Sequence, residues 1–154
     1  VSEDTLSRVL EDAARSFKEH GFMTICFIGD HGGSQGAQAA IAEKLTREWR
    51  NAGVQVIQVS NYYSDNGQEE WLRTQGNKMK NPSAHAGFFD TAELLATDKR
   101  LVRETMIKDY KEADYEQYGV AGSPSGATET IGAQLLNLKV TAAVSQIRGA
   151  TARR

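Results

Sequence analysis

Apolar residues recur at helical spacing first in Leu6, Val9, Leu10, Ala13 and Phe17, with Ser2 or Asp4 placed to cap the start and Gly21 to end the turn. Residues 23–28, Met-Thr-Ile-Cys-Phe-Ile, form a short and almost wholly apolar run, the pattern of a parallel strand covered on both faces. A second helix is predicted from about Gln35 to Trp49, with Ala37, Ala40, Ile41 and Leu45 inward and Asn51-Ala52-Gly53 closing it. Another apolar run, residues 54–59, follows at once.

Strand, glycine turn, helix and strand in this order define a βαβ unit, whose parallel strands place functional loops at their carboxyl ends. Residues 29–36 and 60–67 fall there. Beyond them, residues 71–75 are predicted as a short helix and 76–83 as a loop. Phe88, Thr91, Ala92, Leu94 and Leu95 mark a further helix over 87–96. Residues 98–118 are charged, tyrosine-rich and weakly patterned, predicted to be partly helical and partly a surface excursion. After the punctuation Gly122-Ser123-Pro124-Ser125, a final helix over 127–148 carries Ile131, Leu135, Leu138, Val140, Val144 and Ile147 on its apolar side.

Composition narrows the partners. The 154 residues suit a single domain over 1–154, and a formal charge of −2 with interspersed acids and bases provides no field for nucleic acid or an anionic membrane. No apolar stretch approaches the ~20 residues of a membrane span. Small molecules are therefore the expected partners. The one cysteine, Cys26, is expected as a buried thiol, and the lack of a disulfide framework fits a reducing, cytoplasmic setting.

Candidate chemistry gathers in two loops. His31 in Gly29-Asp30-His31-Gly32-Gly33 projects from a strand end, while Gly32 and Gly33 let backbone or ligand approach without a Cβ. Asp30 can orient the imidazole or bind a metal itself; an aspartate in a tight turn is equally ordinary. The same loop, entering a helix, can also cradle an anion or nucleotide phosphate, although it matches neither of the common glycine-rich phosphate signatures. His85 opens a helix among small neighbours, with Asp90 and Glu93 on the helix's first turns, where a capping or dipole role is the plain alternative for both carboxylates. His20 at a helix end is read as structural. Tyr62, Tyr63, Trp71, Phe88 and Phe89 can line a pocket or form a satellite core. No serine occupies a strained Gly-x-Ser-x-Gly turn, and Cys26 lies mid-strand, a poor position for a nucleophile.

These blocks resemble the creatininase family. His20-Gly21-Phe22, a strand, then Gly29-Asp30-His31-Gly32-Gly33-Ser34 is similar to the family's His-Gly-Phe, strand and Asn-Gly-His-Gly-Gly-Asn block. His85-Ala86-Gly87-Phe88-Phe89-Asp90-Thr91 resembles its His-Ala-Gly-x-x-Glu-Thr, and Gly122-Ser123-Pro124 through Ala127-Thr128-Glu129 and Gly132 its closing segment. The resemblance implies a three-layer α/β/α fold with a mostly parallel sheet, incomplete at its N-terminal side. It implies hydrolysis of C–N bonds in cyclic amides or formamides at a centre of two divalent ions, Zn, Mn or Fe. In that scheme His31 is a metal ligand, His85 is the acid/base or a substrate-orienting residue, and Asp90 replaces the usual Glu as a metal ligand or as a carboxylate supporting one. From their loop positions Asp30 is expected as a further metal ligand, and Gly32, Gly33, Ser34, Tyr62, Tyr63 and Trp71 as substrate contacts. A hexamer, or association with a missing N-terminal segment, is implied as well.

The departures are specific. Gly33 stands where creatininase itself has a metal-ligating Glu, which argues against creatinine as the substrate. The family's Glu-x-His motif with its downstream Asp has no counterpart here, so this chain is expected to hold part of an active site and to be inactive alone. The alternatives are a non-catalytic member that binds a small molecule or partner, or an anion-binding α/β domain using residues 29–36.

Overall fold

The computed structural model describes residues 1–111 and 114–152. They divide into two compact units, one formed by Val1–Asn66 together with the chain from Val140 onward, the other by Gly67–Lys139.

In the first unit, α1 (Glu3–Glu19) starts where Ser2 Oγ accepts the Thr5 amide at 3.2 Å, as its capping position requires. His20 closes α1 with Nδ1 2.7 Å from the Ser16 carbonyl, a structural role. β1 (Thr24–Phe27), α2 (Gly32–Glu48) and β2 (Gln55–Gln58) form the βαβ unit, the strands parallel with Thr24 opposite Gln55 and Phe27 opposite Gln58. One sheet face sends Ile25, Phe27 and Val56 into a core with Ala14, Ile41, Leu45 and Trp49. The other face places Ile57 and Val59 against Ala143 and Ile147 from the last helix. Arg15 ties α1 to α2 by gripping both Glu48 oxygens at 2.7 and 2.8 Å, and this pairing holds the Glu48 carboxyl down at about 2.

The two edges of this sheet differ. Alternate residues of a β-strand aim their amides and carbonyls away from the partner, and unpaired edges invite further pairing. On β2 these groups are occupied by side chains: Thr46 Oγ1 accepts the Val56 amide at 2.8 Å and donates to the Val56 carbonyl at 2.9 Å. Gln146 Nε2 donates to the Gln58 carbonyl at 3.0 Å. No comparable side chain caps β1 among the described residues. Here the expectation of a strand covered on both faces, with a buried thiol, is corrected: Cys26 is exposed, as are Phe22, Met23 and Ile28 around it. With two strands among the described residues and the last helix lying over β2, the outward side chains of β1 have no covering layer among them. Partial desolvation still pushes the Cys26 thiol pKa upward, which leaves it a poor nucleophile.

The second unit contains α3 (Gln68–Thr74), α4 (Phe88–Asp98), the short α5 (Tyr115–Tyr118) and the first part of α6 (Glu129–Thr151). Leu72, Phe88, Phe89, Ala92 and Leu135 make its core. Residues 98–111 and 114–118 are the predicted mixture, with single helical turns at Lys99–Leu101 and Glu104–Met106 before α5, while residues 112 and 113 of that stretch lie outside the described residues. Thr128 Oγ1 accepts the Ile131 amide at 3.2 Å and starts α6. Gly132 is required by packing, since a Cβ there would stand 1.8 Å from the Ala92 carbonyl oxygen.

The buried line of α6 runs through Gly132, Leu135, Lys139 and Ala143. Val140 and Val144, predicted on the apolar side, are 49% and 38% exposed. The stripe is rotated because Lys139 lies inside it. Its Nζ donates to Glu93 Oε2 at 2.9 Å, and Gln68 Nε2 donates to Glu93 Oε1 at 2.6 Å and to the Leu135 carbonyl at 3.0 Å. Glu93 is thus one half of a buried ion pair, and not the simple helix-dipole carboxylate its position suggests. No helix of the described residues is long and apolar enough to cross a membrane.

Candidate active site

The first group of candidate residues sits at the carboxyl end of β1. α2 begins three residues before its predicted start, so Gly32, Gly33 and Ser34 form its first turn and His31 is its N-cap, in extended conformation and without a side-chain capping bond. The loop is braced from behind by side chains that periodicity does not single out. Gln35 Nε2 donates to the Gly29 and His31 carbonyls at 3.0 and 3.2 Å, and Gln58, the last residue of β2, donates to Gln35 Oε1 at 3.0 Å. Ser34 Oγ donates to the His31 carbonyl at 2.8 Å and accepts Gln38 Nε2 at 3.0 Å. Ser34, expected as a substrate contact, is spent on fixing the backbone of the histidine.

With the backbone held, the His31 side chain is left exposed, and its ring makes no hydrogen bond among the described residues. A Cβ on Gly33 would stand 3.5 Å from both His31 Cε1 and Nε2, so the glycine keeps the ring's reactive edge accessible. A Cβ on Gly32 would meet the Tyr63 phenol oxygen at 2.7 Å, which places that hydroxyl directly against the loop. Its neighbour Tyr62 packs instead against Ile57, Val59 and Ala143. The two tyrosines, indistinguishable in sequence, therefore have different surroundings.

Nearby, Gln38 is 5% exposed, and its Oε1 is buried without a hydrogen-bond partner. A Cβ on Gly29 would fall 2.5 Å from Gln38 Nε2, so this glycine is needed for the loop to close over the amide.

The second group lies in the other unit. His85 is exposed at the head of α4, its ring 6.1 Å from that of Tyr115 in an edge-on arrangement, and its carbonyl accepts the Ala121 amide at 2.8 Å. Asp90 Oδ2 accepts the Ala86 amide at 2.7 Å, holding Ala86 at φ +50°, a conformation L-residues rarely adopt. Gly87 and Gly122 pack backbone to backbone: a Cβ on Gly122 would lie 3.2 Å from the Gly87 Cα, and one on Gly87 would lie 2.6 Å from the Ala84 carbonyl oxygen. The His-Ala-Gly and Gly-Ser-Pro blocks, far apart in sequence, are thus one packed junction that sets the His85 turn. Trp71 packs into the core of this unit beside Leu72 and Phe88.

A metal centre needs several converging donors. Among the described residues no three His, Cys, Asp or Glu side chains are grouped in that way. Asp30 and His31 are adjacent donors on one braced loop, but the residues described do not compose a complete metal site.

The model of the creatinine amidohydrolase family matches residues 1–147. No curated protein matches the chain. Among solved structures, a manganese creatininase superposes with a TM-score of 0.75 at 21% identity, covering 97% of this chain and 65% of its own. A mutant creatininase complexed with creatine gives a TM-score of 0.74 at 21% identity, covering 97% of this chain and 66% of its own. The same mutant in a Zn-Zn form gives 0.74 at 21% identity, over 97% and 65%. The chain therefore spans about two thirds of the length of these structures and shares their fold. With a family match over nearly its whole length and the glycine-braced histidine loops in place, this chain belongs to the creatinine amidohydrolase family.

Proposed function

We propose that the chain is the part of a metal-dependent amidohydrolase, acting on C–N bonds of cyclic amides or formamides, that carries Asp30 and His31 as ligands and His85 as the acid/base. The observation that supports this best is the loop at the end of β1. Ser34 and Gln35 fix its backbone, themselves held by Gln38 and Gln58, while the imidazole stays uncommitted and open, an arrangement that costs ordering entropy and returns no packing. Tyr63 beside Gly32 supplies a phenol for a substrate carbonyl or nitrogen, and Gly32 and Gly33 allow close approach. Asp90 keeps one carboxylate oxygen beyond its bond to Ala86 for a ligand role. Tyr62 and Trp71 act from the cores that position these loops.

A divalent ion, Zn, Mn or Fe, supplies polarisation of the scissile carbonyl and an activated water when bound. Asp30 and His31 are two of the several donors such an ion needs, and the described residues group no third one beside them. For His85, an exposed imidazole on a turn held by the Asp90 carboxylate and the Gly87–Gly122 junction, the proposed chemistry is transfer of a proton to the leaving nitrogen.

Elemental analysis of the purified protein, with an assay of amine release from cyclic amides and formamides, tests this reading. Stoichiometric metal that falls on His31→Ala, and hydrolysis abolished by a chelator, are expected. Equal metal content in both proteins with no hydrolysis would leave the second reading, a non-catalytic binding member of the family. That reading is favoured by the ungrouped donors.

The open edge of β1, bordered by exposed Phe22, Met23 and Ile28, supports association of copies or with a further segment, with a hexamer as the family-like outcome. Sedimentation velocity is expected to show a multiple of the 16.9 kDa chain mass. A monomer at micromolar concentration would dismiss it.

A further inference from the structure

The second unit contains a cavity of about 230 Å³ that none of the proposed catalytic steps uses beyond its rim at Asp90. Its walls are chiefly apolar, with Leu94, Leu101, Met106 and Tyr118 prominent among them, and Arg103 is the cation that lines it. Arg103 makes no ion pair among the described residues, whereas most other arginines of the described chain are engaged by carboxylates. Two of the lining aromatics also carry a cation, Lys108 Nζ lying 5.2 Å from the Tyr110 ring centre and 5.3 Å from that of Tyr118.

Asp90 also lines the cavity, and one oxygen of its carboxylate is committed to the Ala86 amide. Of these two charged lining residues Asp90 repels a negative group and Arg103 attracts it, with a planar fork of N–H donors that matches a carboxylate in two parallel bonds. Apolar walls with one placed polar group are the usual composition of a small-molecule site. The volume accommodates roughly eight water-sized groups, taking about 30 Å³ for each.

We propose that this cavity binds a small organic carboxylate, its apolar body against Leu94, Leu101, Met106 and Tyr118 and its anion on Arg103. The bare inorganic anion is not the expected occupant, because it would leave the apolar walls facing water. The site is read from the second unit alone and does not depend on the chain hydrolysing anything.

Benzoate, with benzamide as a neutral control of the same shape, probes it by amide chemical-shift perturbation in ¹⁵N-labelled protein. Millimolar benzoate is expected to shift Leu101, Arg103, Met106 and Tyr118. Benzamide is expected to bind about tenfold more weakly, the scale of one hydrogen bond to a charged group. Arg103→Gln should remove the preference for benzoate over benzamide, and Leu101→Trp, which fills the cavity, should remove binding of both. Both variants are checked for an otherwise unchanged spectrum. Equal affinity for the two probes, shifts confined to other surfaces, or no shift at all would overturn the assignment. Because the readout is binding without turnover, a failure of the amidohydrolase reading and a failure of this one are told apart.

Discussion

Replacing Lys139 with methionine is expected to lower the unfolding free energy by about 3–5 kcal/mol, the cost of leaving a buried charge without its partner. The side chains of Lys139 and Glu93 are 5% and 11% exposed, so water cannot take over the lost bond. Gln68 already donates to the other Glu93 oxygen and can offset only part of the loss. Glu93→Gln should also destabilise, because the buried Lys139 ammonium then faces a neutral amide in place of the carboxylate. The double variant Glu93→Gln/Lys139→Met should recover part of the damage, because neither charge then remains buried, and a positive coupling in the double-mutant cycle is the signature. Urea unfolding followed by circular dichroism measures all three. Since whole domains are stable by only about 5–15 kcal/mol, either single change should place the chain near its unfolding threshold. Single-variant losses below about 1 kcal/mol, the range of exposed pairs, would show that the pair is hydrated.

The second large effect concerns activity. His85→Ala is expected to lower kcat on whichever amide proves to be the substrate by about 10²–10⁴, the usual contribution of a positioned acid/base. The fold should hardly notice. What binds residue 85 into the structure is its backbone carbonyl, on the Ala121 amide, together with the Gly87–Gly122 junction, and alanine keeps both. The ring is exposed and meets the Tyr115 ring edge-on at 6.1 Å, so a stability loss of no more than about 1 kcal/mol is expected. A melt and a rate measured on the same sample separate the two. Added imidazole should restore part of the rate to His85→Ala, which a merely structural histidine would not show. An unchanged kcat would remove His85 from the chemistry.

Several features were legible without coordinates. The amphipathic faces of α1 and α2, the βαβ order, and hence the position of His31 at a strand's carboxyl end all follow from periodicities of 3.6 and 2 within short windows. The block resemblance identified the family by the same local means. Element ends were less legible: glycines at 32 and 33 look like turn residues, yet they open α2, because Gln35 and Ser34 fold back on Gly29 and His31 and stabilise that first turn.

Other features depend on residues distant in sequence. A lysine in a helix is normally assigned to the solvent side, and only the approach of α4, with Glu93 46 positions away, makes Lys139 part of the core and rotates the buried stripe of α6. Tyr62 and Tyr63 are equivalent as letters; the strand end they follow turns one into the core and the other onto Gly32. Thr46 and Gln146 carry no strand signal, yet they close the outer edge of β2, while β1 keeps its edge and Cys26 exposed. The sequence by itself determined which elements form and where the histidines fall along them, since those follow from local backbone geometry. Which charges are buried, which edge is closed and which aromatic faces the loop were decided by the tertiary structure, because each is a pairing between groups that only packing brings within bonding distance.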